Sequence, residues 1–469
     1  MLNRSDEVFD VVVIGSGFAG LAAAIEAATA GASTIVLEKM KGCGGNSIIS
    51  EGFIAANGSE FQRKQGIRDS PEQMADDMIK AGLGLNHPDL VQTVTENSSA
   101  AINWTIEEIG VTYHDQVYQL GGHSIPRTLI IKSHSKLRFG IDLVRKMLKK
   151  AHDIGVEVRN QACIQTLIRD GGGPVTGVVV REGLSVLKSI GARKGVILAA
   201  GGFASDIQFR TIQNPRLDSS VETTNRRTAT AEILMEAIRI GAMSVHLSAI
   251  QLGPWASPDE KGLNVGANFA SMAIFPHGLV VDSRTGGRLL NELGDRKVRA
   301  DAMLAAGHTC IGFVDTRGAA FGDSYLPKCL KRGVVKQFDS LSQLAGHYGI
   351  PFDKLASTVV NFNESLKNGK DVEFQRPVRG DDYPVEQAPF YAIRLWPKIH
   401  YTSGGVQIDT NTRVIGLDQR PIMGLFGAGE ITGGVHGACR LGSCAITDCL
   451  VFGRIAGQQA AALKPRNPG

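Results

Sequence analysis

The segment from residue 11 to residue 38 constrains the fold of this chain most strongly. A β-branched run, Val11–Ile14, leads directly into Gly15-Ser-Gly17-Phe-Ala-Gly20 and then into a run rich in alanine. A second apolar run, Thr34–Leu37, ends in Glu38, 18 residues after the last of these glycines. Strand, glycine turn, helix, strand and acid in this order are typical of the Rossmann-type unit that binds a dinucleotide. We therefore expect an α/β protein.

Each residue of this turn has a physical reason to be there. Gly15 allows the tight turn, Gly17 lets the backbone approach a pyrophosphate, and Gly20 lets helix and strand pack closely. The helix N-terminus presents N–H groups and the positive end of its dipole to the phosphates. We expect Glu38 to accept hydrogen bonds from the adenosine ribose. The alternative is a glycine-rich turn in an α/β domain that binds no nucleotide.

Composition excludes several classes of protein. The chain has 469 residues, more than one hydrophobic core usually serves, so two domains are expected. Its 50 Lys and Arg nearly balance its 46 Asp and Glu, so neither nucleic acid nor an anionic membrane surface is expected as a partner. The seven cysteines show no metal or haem spacing, so no metal is expected, and their odd number suits a reducing compartment. The N-terminal MLNRSDEVFD is not signal-like and no apolar run reaches about 18 residues, so we expect a cytoplasmic protein without a membrane span.

Three further glycine-rich segments select the cofactor. Lys41–Ser47 follows the ribose acid, Gly195–Gly202 is a strand that runs into small residues, and Gly424–Glu430 repeats that pattern near the C-terminus. A cofactor that touches the first, middle and last parts of the chain is long. This favours FAD, bound in an extended form, over NAD.

Several motifs, taken in order, carry a resemblance to a known family. They are VVVIGSGFAGLAAA, GGNS, LGGHSIPRT at Leu120–Thr128, GVILAAGG, GLFGAGEITGGVHGACRLG and GRIAG. Over nearly its whole length the chain resembles the fumarate reductase/succinate dehydrogenase flavoprotein family, and within it the flavin and cap domains of the soluble flavocytochrome c-type fumarate reductases and their relatives. The resemblance implies a Rossmann-type FAD-binding domain, residues 1–246 and 397–469, interrupted by an inserted α+β capping domain, residues 247–396.

The pattern of residues agrees with this division. We expect strands around Val156–Asp170 and Val175–Arg181, and helices around Ala231–Gly241 and Ile446–Leu463. From about Ser248 to Trp396 the pattern is irregular, with scattered Gly and Pro and few long apolar strands, and this part is expected to form the cap.

The resemblance also implies how FAD is held. Covalent-flavin relatives carry a His near the position of Asn46, and this chain has none there, so non-covalent FAD is expected. His436 is expected to position the flavin rather than to catalyse. The residues expected to contact FAD are Gly15, Gly17, Phe18, Ala19, Gly20, Glu38, Lys39, Gly44, Gly45, Asn46, Ser47, Gly52, Ala200, Gly201, Gly202, Gly429, Glu430, His436, Arg440, Ala445 and Ile446.

Three residues match the family's substrate and proton positions. Arg440, in Gly-Ala-Cys-Arg-Leu-Gly, and His400, in His-Tyr-Thr-Ser-Gly-Gly, are implied as contacts of a substrate carboxylate, for which a guanidinium is suited. Arg296, in Asn-Glu-Leu-Gly-Asp-Arg, is implied as the proton donor, which requires a desolvated site because the pKa of arginine lies above ~12. The alternatives are an Arg440 that serves packing, a His400 that is a core residue, and an Arg296 that pairs with Glu292 or Asp295.

Other positions depart from the family pattern. Dicarboxylate-reducing relatives carry a His where this chain has Gly253, and a T-E-x-x-R segment for which residues 270–278 offer neither Glu nor Arg. An unpaired second carboxylate is costly in a desolvated site, so fumarate is not expected as the substrate. We expect one carboxylate opposite a more apolar or aromatic end that faces Trp255 and Phe275. Ser443-Cys444 replaces the family's usual Gly-Asn after Arg-Leu-Gly.

The sequence therefore predicts an FAD-dependent oxidoreductase of the CH–CH class that acts on a carbon–carbon bond next to a carboxylate. Hydride is expected to pass through flavin N5 and the proton through Arg296. The chain has no haem or iron–sulfur Cys pattern, so a separate electron donor or acceptor is expected. Two alternatives remain: a ketosteroid-type desaturase on the same fold, whose relatives lack the arginine at position 440, and a non-catalytic flavoprotein subunit. Arg317 is a weaker candidate for the proton donor, and His123 has no assigned role.

Overall fold

The computed structural model describes residues 5–133, 139–183, 186–380 and 382–467. The strands are β1 (Glu7–Ile14), β2 (Thr34–Glu38), β3 (Phe53–Ala55), β4 (Thr128–Ile130), β5 (Glu157–Asn160), β6 (Ala162–Arg169), β7 (Val175–Glu182), β8 (Val186–Leu198), β9 (Ser244–Val245), β10 (Ile250–Gly253), β11 (Leu279–Asp282), β12 (Cys310–Val314), β13 (Val335–Phe338), β14 (Phe390–Leu395), β15 (Lys398–Thr402), β16 (Gly405–Gln407), β17 (Arg413–Ile415), β18 (Pro421–Gly427) and β19 (Thr432–Gly433).

The helices are α1 (Phe18–Thr29), α2 (Glu60–Lys64), α3 (Pro71–Ala81), α4 (Pro88–Glu107), α5 (Gly140–Asp153), α6 (Ile207–Gln213), α7 (Glu232–Arg239), α8 (Val265–Phe269), α9 (Phe275–His277), α10 (Arg296–Ala306), α11 (Thr316–Ala319), α12 (Leu326–Arg332), α13 (Leu341–Tyr348), α14 (Phe352–Lys367) and α15 (Cys444–Ala462). Single turns of other helix types lie at Gly45–Ile49, Ala270–Ile274, Ala320–Gly322 and Gly429–Ile431.

The described chain divides into two compact units. The first contains residues up to 218, residues 226–250 and residues from 401 onward. The second contains residues 219–225 and 251–400. The predicted assignment of residues 1–246 and 397–469 to an FAD-binding domain and of residues 247–396 to a cap stays a prediction.

A large twisted sheet forms the centre of the first unit. Its strand order is β17-β18-β8-β1-β2-β5, and β7 and β6 extend from β8. The five strands from β18 to β5 pair in parallel, with Val11 opposite both Thr34 of β2 and Gly195 of β8. The middle of β1, Val11–Val13, is fully buried, as expected for a parallel strand covered on both faces. The predicted α/β fold class is confirmed in this sheet.

Helices α1 and α15 pack against each other through small residues. A Cβ placed on Gly453 of α15 would lie 2.5 Å from the backbone oxygen of Ala19 in α1. One turn later, a Cβ on Gly457 would lie 2.2 Å from the oxygen of Ala23. These distances are shorter than any Cβ contact allows, so the two helices approach this closely only because both positions are glycine. The first and last long helices of the chain therefore form one layer.

The second unit contains an antiparallel sheet that the residue pattern did not reveal. Its strand order is β11-β12-β14-β13, and Leu279 of β11 pairs with Phe313 of β12. Leu344 of α13 and Leu355 of α14 are fully buried in the core that includes this sheet. The residue pattern of this part is irregular because strands of four to six residues are too short to show a clear alternation.

Two predicted elements also differ in their limits. The strand expected around Val156–Asp170 is divided into β5 and β6, because Gln161 between them has a φ of 57° that no strand residue adopts. The C-terminal helix begins at Cys444, before the predicted Ile446, and ends at Ala462.

None of the described helices combines the length and the apolar character that spanning a bilayer requires. The cytoplasmic location expected from the sequence stays a prediction.

Candidate active site

A cavity lies at the carboxyl edge of the parallel strands in the first unit. Strands β1, β2, β8 and β18 run in one direction, and the residues that directly follow them, Gly15, Lys39, Ala199 and Ala428, all line it. Ligands of open α/β sheets bind at this edge. The cavity encloses about 1250 Å³ of space outside the protein atoms, part of it open to solvent.

Most of the residues predicted to contact FAD line this cavity. They are Gly15, Gly17, Phe18, Ala19, Glu38, Lys39, Gly44, Gly45, Asn46, Ser47, Ala200, Gly201, Gly202 and Glu430. The predicted contacts that do not line it, all within the described chain, are Gly20, Gly52, Gly429, His436, Arg440, Ala445 and Ile446. For these residues a contact with FAD stays a prediction.

Sequence reasoning missed other residues of the cavity wall. They are Ser16, Cys163, Gln165, Arg181, Thr228, Ala229, Thr230, Glu232, Ile233 and Cys449 among others. Of the residues named here, only Ser16 lies inside a recognised motif. The others come from strands β6 and β7, from the segment just before α7 and its first residues, and from the first half of α15, where nothing in the sequence marks the position as facing a ligand.

The glycines of the first turn have the geometry that a bound pyrophosphate requires. Gly15 has a φ of 103°, and a Cβ there would lie 2.4 Å from the backbone oxygen of Ala199. A Cβ on Gly20 would lie 2.0 Å from the oxygen of Gly15, so this glycine is needed by the fold itself. A Cβ on Gly17 would meet only the Ser47 Oγ, at 3.3 Å. Gly17 is therefore the position whose missing side chain leaves room in the cavity, and the wall fits a phosphate group.

Glu38 helps to build the turn that it faces. Its Oε2 accepts hydrogen bonds from the Ser16 hydroxyl at 2.5 Å and the Ser16 N–H at 3.2 Å, and its Oε1 accepts one from the Met40 N–H at 2.9 Å. The Ser16 hydroxyl oxygen in turn accepts from the Gly44 N–H at 2.9 Å. Ser16 thus joins the first glycine turn to the second, a role that the glycine pattern alone did not indicate.

Glu430 brings a titratable group to the wall of the cavity. Its Oε1 accepts a hydrogen bond from the Thr402 N–H at 3.0 Å and lies 3.2 Å from the Thr402 hydroxyl. Burial raises the pKa of the Glu430 carboxyl to about 7, although the Thr402 N–H and the Arg440 charge oppose the shift. A Cβ on Gly202 would lie 2.5 Å from the same carboxylate oxygen, so any larger residue at position 202 would displace the Glu430 side chain.

Arg440 lies buried in the first unit beside an aromatic ring. Its guanidinium carbon is 4.8 Å from the ring centre of Tyr401, the residue that follows His400 in β15, and its Nη1 donates to the Leu441 oxygen at 3.0 Å. The edge of the His436 ring packs on Tyr401 at 5.6 Å, and His436 Nε2 lies 3.3 Å from Asp448 Oδ2. Arg440, at 5% exposure, belongs to a buried polar cluster and is not a surface arginine.

The second unit brings Arg296 and His400 to one indole ring. The guanidinium carbon of Arg296 lies 4.6 Å from the ring centre of Trp255, and the His400 ring meets the same indole edge to face at 5.1 Å. Arg296 Nη1 donates to Gln251 Oε1 at 3.4 Å, and His400 Nδ1 lies 2.8 Å from the Thr224 hydroxyl. Two residues 104 positions apart in the sequence thus share one aromatic contact.

The two acids considered as partners for Arg296 also contact other residues. Glu292 is fully buried and receives hydrogen bonds from Arg288, at 2.7 Å and 3.1 Å. The Asp295 side chain accepts from the Val298 N–H at 3.0 Å and so caps the helix that Arg296 begins.

Two further aromatic and basic side chains were considered from the sequence. The Arg317 guanidinium covers the Tyr383 ring at 4.7 Å, and its Nη2 donates to the Pro384 oxygen. Phe275 is 2% exposed, and the Arg299 guanidinium covers its ring at 4.6 Å. The expectation that Phe275 faces the substrate stays a prediction.

Trp255 fills the space beside Gly253, where dicarboxylate-reducing relatives carry a histidine. A Cβ on Gly253 would lie 3.2 Å and 3.3 Å from indole carbons of Trp255 and 3.4 Å from the His400 Cβ. A larger side chain at this position has no room unless the indole moves. The indole of Trp255 therefore fits in this position because residue 253 is a glycine.

The fold and these sites agree with the comparisons to known proteins. A family model described as FAD binding domain matches residues 10–446. The chain belongs to this family of FAD-binding flavoproteins. Over 468 residues it is 41% identical to the acrylate reductase flavoprotein subunit of Shewanella woodyi. The aligned region covers 96% of this chain and 91% of that protein.

Two solved structures are similar over nearly the whole chain. The open conformation of a flavocytochrome c3 fumarate reductase shares 32% identity and a TM-score of 0.78, covering 97% of this chain and 78% of that one. The 3-ketosteroid-Δ4-(5α)-dehydrogenase of Rhodococcus jostii RHA1, in complex with 4-androstene-3,17-dione, shares 25% identity and a TM-score of 0.79, covering 98% of both chains. The predictions of this family, and of an FAD-dependent oxidoreductase acting on a carbon–carbon bond next to a carboxylate, are confirmed at the level of the family.

Proposed function

We propose that this protein reduces a carbon–carbon double bond next to a single carboxylate, with non-covalently bound FAD as its cofactor. The observation that carries the proposal is the contact of both Arg296 and His400 with the indole of Trp255. A proton donor and a carboxylate contact must lie close together to act on the same small substrate. When bound, FAD supplies the hydride chemistry.

Arg440 and His400 are proposed to bind the substrate carboxylate. A planar guanidinium matches a carboxylate with two parallel hydrogen bonds, and this match is strong only where water is excluded. Arg440 is 5% exposed, and its plane is held by the Tyr401 ring and the Leu441 oxygen, so little side-chain freedom is left to lose on binding. The contact of 2.8 Å between His400 Nδ1 and the Thr224 hydroxyl holds the orientation of the imidazole ring.

Arg296 is proposed to deliver the proton to the carbon next to the carboxylate. The transfer becomes feasible for a guanidinium only when it is poorly hydrated and faces a strongly basic carbanion-like centre. The indole face of Trp255 excludes water from one side of Arg296, and Gln251 Oε1 orients one of its nitrogens.

A monocarboxylate is the proposed substrate class. Trp255 takes the space that a second carboxylate-binding histidine needs at Gly253, and an indole offers no charge to a second carboxylate. The relative with 41% identity is an acrylate reductase subunit, and acrylate is an enoate with one carboxylate. We therefore propose acrylate-like acids, including those with an apolar or aromatic end, and not fumarate.

Electrons are proposed to come from a separate donor, since the similar acrylate reductase is itself described as a flavoprotein subunit. We also propose that the first unit holds FAD and the second provides the cap.

The cavity carries Asn46 where covalent relatives have a histidine, so acid precipitation is expected to release all flavin into the supernatant. Flavin that stays with the precipitate would contradict non-covalent binding.

The central experiment is anaerobic reduction of the flavin followed by mixing with single acids. Acrylate, crotonate, cinnamate and fumarate are tested separately, and flavin reoxidation is followed at 450 nm. We expect the monocarboxylates to reoxidise the flavin and fumarate to do so much more slowly. Arg296→Lys is expected to abolish reoxidation, whereas Arg317→Lys, a matched change at the other arginine considered, keeps it. If no acid reoxidises the wild-type flavin, the proposed function is wrong.

A ketosteroid-type desaturase is the second candidate, because such an enzyme matches 98% of this chain with a TM-score of 0.79. A ketone substrate has no carboxylate and so no use for the buried guanidinium of Arg440. Oxidation of a 3-ketosteroid that is saturated at C4–C5, with an artificial acceptor, would favour this candidate if the activity is retained in Arg440→Ala. A non-catalytic flavoprotein is the third, and turnover of the isolated chain with reduced methyl viologen would exclude it.

A further inference from the structure

The segment Leu120–Thr128 carries part of the family resemblance, but the proposed function gives it no role. Within it, His123 is 6% exposed and Arg127 is fully buried. Both belong to the first unit, as does the loop of Arg440. Burying an arginine and a histidine together is costly unless every polar group finds a partner.

Arg127 is held by two carboxylates. Its Nε and Nη2 donate to the two oxygens of Asp69 at 2.8 Å and 3.0 Å, a paired geometry that fixes the guanidinium plane. Its Nη1 donates to Asp77 Oδ2 at 2.5 Å. Asp77 Oδ2 also accepts the Ser124 N–H and hydroxyl, each at 2.8 Å, so the turn that carries His123 is fixed as well.

The same guanidinium determines the tautomer of His123. Arg127 Nη1 lies 3.0 Å from His123 Nδ1, and an arginine nitrogen can only donate. Nδ1 must therefore be the unprotonated nitrogen, which places the ring proton on Nε2. His123 Nε2 lies 2.8 Å from the carbonyl oxygen of Gly442 and donates to it. A neutral imidazole thus links a buried ion network to one backbone carbonyl.

The Gly442 carbonyl that His123 contacts lies two residues after Arg440 in the sequence. A second contact from the same part of the chain reaches the next residue, where the Thr128 hydroxyl lies 2.7 Å from the Ser443 hydroxyl. Ser443 has a φ of 57° and directly precedes α15, so the chain turns sharply at this point. Both contacts hold the backbone on the C-terminal side of Arg440.

We propose that His123 is a positioning residue for Arg440. Its Nε2–H holds the Gly442 carbonyl and so determines where the Arg440 guanidinium meets the substrate carboxylate. The inference rests on the proposed carboxylate-binding role of Arg440. It predicts that the two ring nitrogens of His123 matter differently: Nε2 for carboxylate binding, Nδ1 mainly for the local stability of the network.

Two substitutions separate the nitrogens. His123→Gln keeps an N–H donor near the Nε2 position, whereas His123→Asn keeps an acceptor near Nδ1 and loses the donor to Gly442. The FAD-loaded variants are titrated with propionate, a saturated monocarboxylate, and binding is read from the flavin spectrum. Acrylate turnover gives KM and kcat. We expect His123→Asn to raise the propionate Kd and the acrylate KM about tenfold, as for a lost hydrogen bond, with kcat changed far less. His123→Gln stays within about twofold of wild type by the same reasoning.

Thr128→Val removes the second contact to the same loop and is expected to raise the propionate Kd even if His123→Asn folds poorly. His308→Asn is the matched control, because it also removes a hydrogen bond made by a histidine Nε2, here with Asp282, but in the second unit. Equal effects of His123→Asn and His123→Gln, or an unchanged Kd in His123→Asn and Thr128→Val, would overturn the inference. Propionate that does not bind the wild type also overturns it. Propionate binding without turnover of any enoate instead refutes only the proposed function.

Discussion

Replacing Trp255 by leucine tests whether the indole holds Arg296 ready for proton transfer. The guanidinium lies 4.6 Å from the ring centre, and because Trp255 is 6% exposed while Arg296 is half-buried, the contact is partly desolvated. Desolvated cation–π contacts contribute about 2 kcal/mol, whereas exposed ones contribute about 0.5–1 kcal/mol. If Arg296 is no longer held in position for the transfer, a cost of about 1–2 kcal/mol in the transition state slows the chemical step roughly 5- to 30-fold. Trp255→Phe keeps an aromatic face and is expected to lose much less.

The rate is measured in a single turnover, by mixing anaerobically reduced enzyme with saturating acrylate in a stopped-flow instrument. Trp104→Leu is the matched control, since Trp104 is 7% exposed and the guanidinium of Arg454 lies 5.3 Å from its ring centre. Both leucine variants are expected to lose stability, but only Trp255→Leu slows reoxidation. A wild-type rate in Trp255→Leu, or an equal slowing in Trp104→Leu, refutes the reasoning.

Three further predictions follow from the first unit. Gly17→Ala is expected to weaken FAD binding at least tenfold, measured by fluorescence quenching, with little change in the unfolding of the apoprotein. Gly20→Ala is expected to destabilise the fold itself by about 4 kcal/mol or more, because its Cβ overlaps a backbone oxygen. Equal effects of the two substitutions would contradict the assigned roles. Burial raises the pKa of Glu430 and so favours its protonated form in the native state. The free energy of unfolding of the apoprotein is therefore expected to fall by about 2 kcal/mol between pH 5 and pH 7.5 relative to Glu430→Gln, and the same change of this free energy with pH in both proteins, measured by urea unfolding, would disprove it. Arg440→Lys is expected to raise the propionate Kd about tenfold or more, because an ammonium cannot bind a carboxylate in the paired geometry, and an unchanged Kd would remove Arg440 from the carboxylate site.

The parts of the fold that the sequence predicts best are those in which neighbouring residues carry the signal. Val11–Ile14, the three glycines after it and Glu38 lie within one short segment, and each local preference agrees with the others. The same holds for the C-terminal helix, whose start was missed by two residues because the sharp turn at Ser443 has no glycine to mark it.

Contacts between distant segments are what the sequence could not supply. Arg296 and His400 were identified one at a time from motifs, but their shared contact with Trp255 depends on where α10 and β15 lie in the second unit. Likewise, Thr228–Thr230 line the cavity only because the chain passes it before α7. Burial, and not residue type, gives Glu430 its raised pKa, so no motif could indicate it.

The close packing of α1 on α15 has a consequence for how the protein is made. The cavity wall extends in sequence from Ile14 to Cys449, and α15 supplies the surface on which Ala19 and Ala23 pack. While the chain is still being translated, the first βαβ unit can emerge from the ribosome but lacks this wall and leaves alanine-rich α1 uncovered. Flavin loading is therefore expected only after α15 has been synthesised, and a chain truncated before α15 is expected to bind no flavin and to be open to proteolysis.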